Sequence, residues 1–390
     1  MNNRQLFQQY MAQTSASPIA MEISHAKGNY LYDADGKKYL DLIGGISVCN
    51  IGHSHPRVIE AISKQSEAYL HVMVYGELVQ SPQVHYAQLL AQHLPPELNT
   101  IYFTNSGAEA TEGAIKLARR INARPNIIAC TQAYHGNTLG ALSVMGEEYW
   151  RNAFRPLMPG VTHLDLNSPE LIDAIDPQTS CVILETIQGE AGVIAPKQEW
   201  MQQLRTRCKE TGTLLILDEI QTGFGRTGKL WAFQHYGVEP DILLLGKALG
   251  GGMPLGAFIS SRENMQQLTF DPVLGHITTF GGHPLCCAAG MAAFQVLLQS
   301  NFINEISTKE NAFRNQLQHP AIRQIRSHGL LIALELENSD KVIEVIHKAL
   351  AKGLFTDWFL FAPQCIRIAP PLSITLEEIE RACNIILSCL

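Results

Sequence analysis

Between residues 100 and 245 the chain repeatedly places a short, almost wholly apolar run between longer amphipathic stretches. The runs are Ile101-Tyr102-Phe103, Ile127-Ile128-Ala129-Cys130, Cys181-Val182-Ile183-Leu184, Leu214-Leu215-Ile216-Leu217 and Ile242-Leu243-Leu244-Leu245. A strand with one wet face alternates polar and apolar residues; these do not. Strands apolar on both faces belong to parallel sheets covered by helices on each side. Their recurrence, roughly every 30 residues, matches strand–helix–strand crossover units. The expectation is a doubly wound α/β layer, in which ligands sit beyond the carboxyl ends of the strands.

The residues just past those ends are therefore informative. Glu185 comes after the third run, Asp218 after the fourth, and Lys247 after the fifth and one glycine, at spacings of 33 and 29 residues. One crossover unit separates each from the next, so two carboxylates and one amine are expected at the same sheet edge. Charges there carry a desolvation cost unless they are paired or used. Lys247 lies in Leu245-Gly246-Lys247-Ala248-Leu249-Gly250-Gly251-Gly252, where glycines let backbone approach a flat ligand. A lysine in an apolar pocket loses its proton more readily and becomes a nucleophile.

Phe103-Thr104-Asn105-Ser106-Gly107-Ala108-Glu109-Ala110 reads as a strand running into a helix with small residues at its start. Free amides at such a helix N-terminus suit a phosphate monoester, while a plain N-cap by Ser106 is an equal reading of the stretch alone. It is neither a GxGxxG fingerprint nor a lysine-containing phosphate loop. Ala133-Tyr134-His135-Gly136 offers a ring that could stack on a planar cofactor, and Thr278-Thr279-Phe280-Gly281-Gly282 offers hydroxyls in a glycine-flanked loop.

Outside this region, Asn29–Tyr32 and Lys38–Leu42 flank an Asp33-Ala34-Asp35-Gly36 turn and read as a hairpin. After about residue 290 helical stretches frame Leu330–Leu336 and Cys365–Ala369, an α+β pattern. The expected division is 1–50 as an N-terminal segment joining a small domain, 51–285 as the large domain, and 286–390 as the small α+β domain. A formal net charge of -7 does not suit nucleic acid. No apolar run approaches the ~20 residues of a membrane span. Met1–Gln13 lacks the basic-then-apolar order of a secretory signal. The nine cysteines show no metal-ligand spacing and read as reduced core residues. A cytoplasmic protein without metal, membrane or nucleic-acid partners is expected.

The residues resemble the class III aminotransferases, the acetylornithine, ornithine and 4-aminobutyrate aminotransferase group of fold-type-I pyridoxal-phosphate enzymes. The motifs are Asn50-Ile51-Gly52-His53-Ser54-His55-Pro56, Asn105–Ala110, Gln188-Gly189-Glu190-Ala191-Gly192, Asp218-Glu219-Ile220-Gln221-Thr222-Gly223, Gly246-Lys247-Ala248 and Ile366-Arg367-Ile368-Ala369-Pro370-Pro371. The resemblance spans about Gly28 to Leu372. It implies a large, mostly parallel-sheet domain sandwiched by helices plus a small α+β domain, with pyridoxal 5'-phosphate as cofactor. It implies that Lys247 is the Schiff-base lysine and proton shuttle, and that Asp218 pairs with the pyridinium nitrogen. Ser106, Gly107 and Ala108 would form the phosphate cup, Tyr134 would stack on the ring, and Gln221 would lie near the phenolic oxygen. Thr279 would reach the phosphate of a neighbouring subunit, which implies a homodimer with shared sites. Arg367 would bind the carboxylate of the 2-oxo acid, and Glu190 would pair with it when no such carboxylate is present.

Three positions depart from the ornithine and acetylornithine pattern. Asn137 stands where an arginine clamps the donor carboxylate, Ile46 where the ornithine enzyme has a tyrosine, and His283 where an asparagine is usual. An amide replaces neither the charge nor the fork of a guanidinium. The expected activity is transfer of a terminal amino group from an ω-amine, whether acetylornithine-like, 4-aminobutyrate-like or a diamine, to 2-oxoglutarate. The alternatives are an aminomutase of the glutamate-semialdehyde type and a catalytically silent regulator of the same fold. Arg367 with its Glu190 gate favours the transferase.

Overall fold

The computed structural model describes residues 1–390. Its strands are β1 (Ile23–Lys27), β2 (Tyr30–Asp33), β3 (Lys38–Asp41), β4 (Thr100–Thr104), β5 (Asn126–Cys130), β6 (Val161–Leu164), β7 (Thr179–Glu185), β8 (Leu214–Asp218), β9 (Ile242–Leu245), β10 (Gly256–Ser260), β11 (Gln324–His328), β12 (Leu331–Glu335), β13 (Leu354–Phe355), β14 (Asp357–Phe359) and β15 (Ala362–Ile368). All five apolar runs are strands of one seven-stranded sheet, ordered β4-β10-β9-β8-β7-β5-β6. Only β10 runs against the others, pairing antiparallel with both β4 and β9.

The two-faced apolar pattern has the expected consequence. Val182, Leu184, Leu215, Leu217, Leu243 and Leu245 face the larger core cluster. Their neighbours Cys181, Ile183, Ile216, Ile242 and Leu244 face the other side, against the helix Gly107–Asn122. Every residue of β7 is buried. Two strands lie outside the sequence-based expectation. β6 is a half-exposed edge strand without an apolar run, and β10 contributes only Ala257-Phe258-Ile259 between Gly256 and Ser260.

The N-terminal hairpin forms as expected and joins β1-β2-β3-β13, so residues from both ends of the chain share a sheet. β3 pairs in parallel with β13, and Ala369 N–H donates to Leu42 O. A third sheet, β11-β12-β15-β14, completes the C-terminal part. Helix Pro284–Gln299 crosses the expected 285/286 division and packs on helices Pro56–Ala68 and Ser81–Ala91. Eight of the nine cysteines are buried and all are free thiols. No single helix is long and apolar enough to cross a membrane.

Candidate active site

The carboxyl ends of β7, β8 and β9 open onto a cavity of about 740 Å³, counting its open mouth. In-register pairing sets Glu185 beside Asp218, and Lys247 emerges two residues beyond the end of β9. All three side chains line this cavity. Lys247 has φ of 48°, a left-handed conformation that costs a β-carbon residue energy and that clusters at functional sites. Burial pulls its pKa below the usual lysine value, with Asp218, Glu190 and Glu185 opposing that shift. A lysine so placed holds a larger neutral fraction for nucleophilic attack.

Asp218 is fixed from two sides. Its Oδ1 accepts from Ile220 N–H at 2.9 Å, and its Oδ2 lies 2.7 Å from His135 Nδ1. His135 is fully buried, and its Nε2 has no partner in the chain. Glu185 accepts from Tyr134 N–H and Gly189 N–H, at 2.9 and 2.8 Å, so it ties the Tyr134 loop to the Glu190 loop. Burial pushes its carboxyl up to about 7; Asp218 adds to the rise, and His135 with the two amides opposes it.

The opposite wall is the start of helix Gly107–Asn122. Ser106 is the N-cap, accepting from Glu109 N–H at 3.2 Å, and it does not itself line the cavity. The plain capping role is thus realised, yet the hydroxyl donates to nothing in the chain. Gly107 and Ala108 do line the cavity, and their amides have no acceptor within the chain. A β-carbon on Gly107 would sit 2.7 Å from Ile220 Cδ1, so a larger residue there would make the Ile220 side chain shift.

Tyr134 is half-buried in the wall, and Asn137 is exposed at the mouth. Gln221 and Thr222 are buried in the wall, and Gln221 Nε2 and Thr222 Oγ1 lack partners. These orphaned polar atoms, the free helix-start amides and the strained lysine converge on one space, the pattern of a site built for a polar ligand.

Glu190 also lines the cavity and Arg367 does not. Arg367 lies behind it, joined in a two-pronged pair, Nη1 to Oε1 at 2.8 Å and Nη2 to Oε2 at 2.9 Å. Thr279 is the expected site residue that stands apart: it is exposed and absent from the cavity wall. Ile46 is exposed with a positive φ, and His283 stacks on His71 at 5.3 Å. The roles of His135 and Glu185 as supports are additions from the structure. Their strand-end positions were visible in sequence, but their partners were not.

Comparison with known proteins identifies the family. The family model for aminotransferase class-III matches residues 10–390. The acetylornithine aminotransferase of Bacillus subtilis is 39% identical over 369 residues, covering 93% of each chain. That of Caldanaerobacter subterraneus subsp. tengcongensis is 38% identical over 374 residues, covering 92% of each. Among solved structures, the ornithine aminotransferase of Toxoplasma gondii superposes with a TM-score of 0.91 at 32% identity, over 99% of this chain and 92% of that one. Its active site holds PLP at partial occupancy. The chain belongs to the class-III aminotransferases, enzymes of the fold-type-I architecture.

Proposed function

We propose that this aminotransferase moves a terminal amino group from an ω-amine donor to 2-oxoglutarate, with pyridoxal phosphate held in the Lys247 cavity. The Glu190–Arg367 pair carries this reading. A 2-oxo acid brings a carboxylate next to its reacting carbon and needs a fixed cation there; a terminal amine brings none. Breaking a buried ion pair by removing one partner costs about 3–5 kcal/mol. A movable carboxylate removes that cost in the amine half-reaction and withdraws in the other.

The chain's residues fit the cofactor. Gly107 and Ala108 amides, with the Ser106 hydroxyl, would hold the phosphate. Asp218, oriented by His135 and Ile220, would keep a proton on the ring nitrogen. Gln221 would donate to the ring oxygen through its free Nε2, and Tyr134 would cover one ring face. When bound, pyridoxal phosphate supplies an electron sink for the carbon being deprotonated. Lys247 Nζ would hold the cofactor covalently and move the proton to and from the substrate's amine-bearing carbon. Thr279, exposed and away from its own cavity, would serve the phosphate site of a partner subunit in a homodimer.

The acetylornithine aminotransferase relatives support a donor whose reacting amine is terminal. Asn137 at the mouth offers no cation to a donor carboxylate, so a diamine, which carries none, fits the same site, beside acetylornithine-like and 4-aminobutyrate-like donors. The test is a panel of ω-amines with 2-oxoglutarate and pyruvate, alongside a Lys247→Ala variant. Turnover that requires an oxo acid, and a cofactor absorbance band lost in the variant, supports the proposal. Turnover without any acceptor, or no band with added cofactor, rejects it.

A further inference from the structure

Glu190 is one of two carboxylates on Arg367. Asp357 sits directly opposite Arg367 in the antiparallel β14–β15 pair, and its Oδ1 lies 3.0 Å from Arg367 Nε. The contact is an ion pair by proximity, not an aligned hydrogen bond. Trp358 O accepts from Arg367 Nη2 at 2.9 Å, and the Phe359 ring lies 4.6 Å from the guanidinium carbon. One short strand therefore supplies an anion, a carbonyl and an aromatic face to one guanidinium. Together they flank Nε with an anion and take up one hydrogen of Nη2 and one flat face, which leaves the Nη1–Nη2 fork directed at Glu190.

Glu190 Oε2 also accepts from Leu360 N–H at 2.9 Å. A substrate carboxylate taking Glu190's place would meet the same fork and the same amide. With Glu190 in place the Arg367 side chain is only 3% exposed, and between the departure of one carboxylate and the arrival of the other its fork would have no anion. Trp358 O and a ring face do not neutralise it. A resident anion does.

We propose that Asp357 is the permanent counter-ion of Arg367, a positioning residue that holds the fork ready for the 2-oxo acid while Glu190 is withdrawn. The inference rests on the proposed function, since it needs Arg367 to receive a substrate carboxylate. It predicts an asymmetry. With Glu190 in place, Asp357 is redundant, so acceptors without a carboxylate beside the carbonyl do not need it. With Glu190 withdrawn, Asp357 is the one anion beside Nε, and 2-oxo acids depend on it.

The experiment is single-turnover amine transfer from protein loaded with pyridoxamine phosphate, to 2-oxoglutarate or to butanal, in the wild type, Asp357→Asn and Arg367→Ala. The expected result for Asp357→Asn is about a tenfold fall in the second-order rate constant for 2-oxoglutarate, with butanal unchanged. An equal fall with both acceptors marks a merely structural residue and overturns the inference, as does no fall with either. If Arg367→Ala keeps its rate with 2-oxoglutarate, the proposed function itself fails. If Arg367→Ala loses that rate and Asp357→Asn keeps it, only the role of Asp357 fails.

Discussion

His135 Nδ1 lies 2.7 Å from Asp218 Oδ2, with both side chains buried, and Ile220 N–H holds the other carboxylate oxygen. The ring therefore sets the plane in which Asp218 meets its ligand. Supports of this kind hold a charged group in productive geometry without touching the substrate. His135→Leu removes the donor and keeps an apolar filling. The expected outcome is a kcat lower by about tenfold to a hundredfold, about 1.4–2.8 kcal/mol, with little change in KM for either substrate. Steady-state kinetics with varied donor and acceptor check it, and an unchanged kcat would remove His135 from the site's working parts.

Asp218→Asn tests the carboxylate itself. The amide keeps the shape and can still interact with His135 and Ile220, but it cannot hold a proton on a ring nitrogen by charge. Cofactor should still bind, and turnover should drop by about two orders of magnitude or more, the loss of ~3 kcal/mol or more of stabilisation. Absorbance of the bound cofactor and kcat, measured on one preparation, separate the two. Full turnover would mean that another carboxylate, with Glu185 first in line, does this work.

The sheet was legible because burial on both faces leaves no room for polar residues, and Val182, Leu215 and Leu243 could only be core. The same logic hid β6, whose edge position tolerates Thr162 and His163, and β10, whose apolar part is three residues long. Strand ends also located Glu185, Asp218 and Lys247, since pairing register is fixed once one face is buried. Partnerships were beyond reach. His135 and Asp218 are 83 residues apart, and nothing local in either segment points to the other. Asp357 faces Arg367 only because β14 and β15 form a hairpin, which Trp358-Phe359-Leu360-Phe361 does not announce through any turn signal.

Gly136 has φ of 121°, a conformation that strains any residue with a β-carbon, and a β-carbon there would meet Ala108 Cβ at 2.5 Å. Ala108 belongs to the helix start whose amides face the cavity. Gly136→Ala should therefore cost about 1–3 kcal/mol of stability through strain and overpacking, and should also weaken cofactor affinity by displacing that helix end. Denaturant midpoints report the first effect and cofactor titration the second. Loss of stability with intact affinity would show that the helix start yields without disturbing the phosphate site.

His53 Nε2 lies 2.7 Å from Asp41 Oδ2, while Asp41 Oδ1 accepts from Ile43 and Gly44 amides. The pair fastens the N-terminal hairpin to the chain entering helix Pro56–Ala68. Burial pulls the His53 pKa down, but the Asp41 hydrogen bond and the nearby Cys49 thiol outweigh it and carry it from 6.5 to about 10. The folded value thus lies above the unfolded one. The charged pair's contribution is complete below about pH 6.5 and disappears as pH rises through the folded value. His53→Gln keeps a donor near Asp41 and never carries charge. The melting temperature of the wild type should exceed that of the variant by about 2 °C at mildly acidic pH. The gap should close toward strongly alkaline pH, measured by thermal unfolding across a pH series. A gap that stays constant through that range would show that His53 acts there as a neutral ring, and that its charge does nothing for the hairpin.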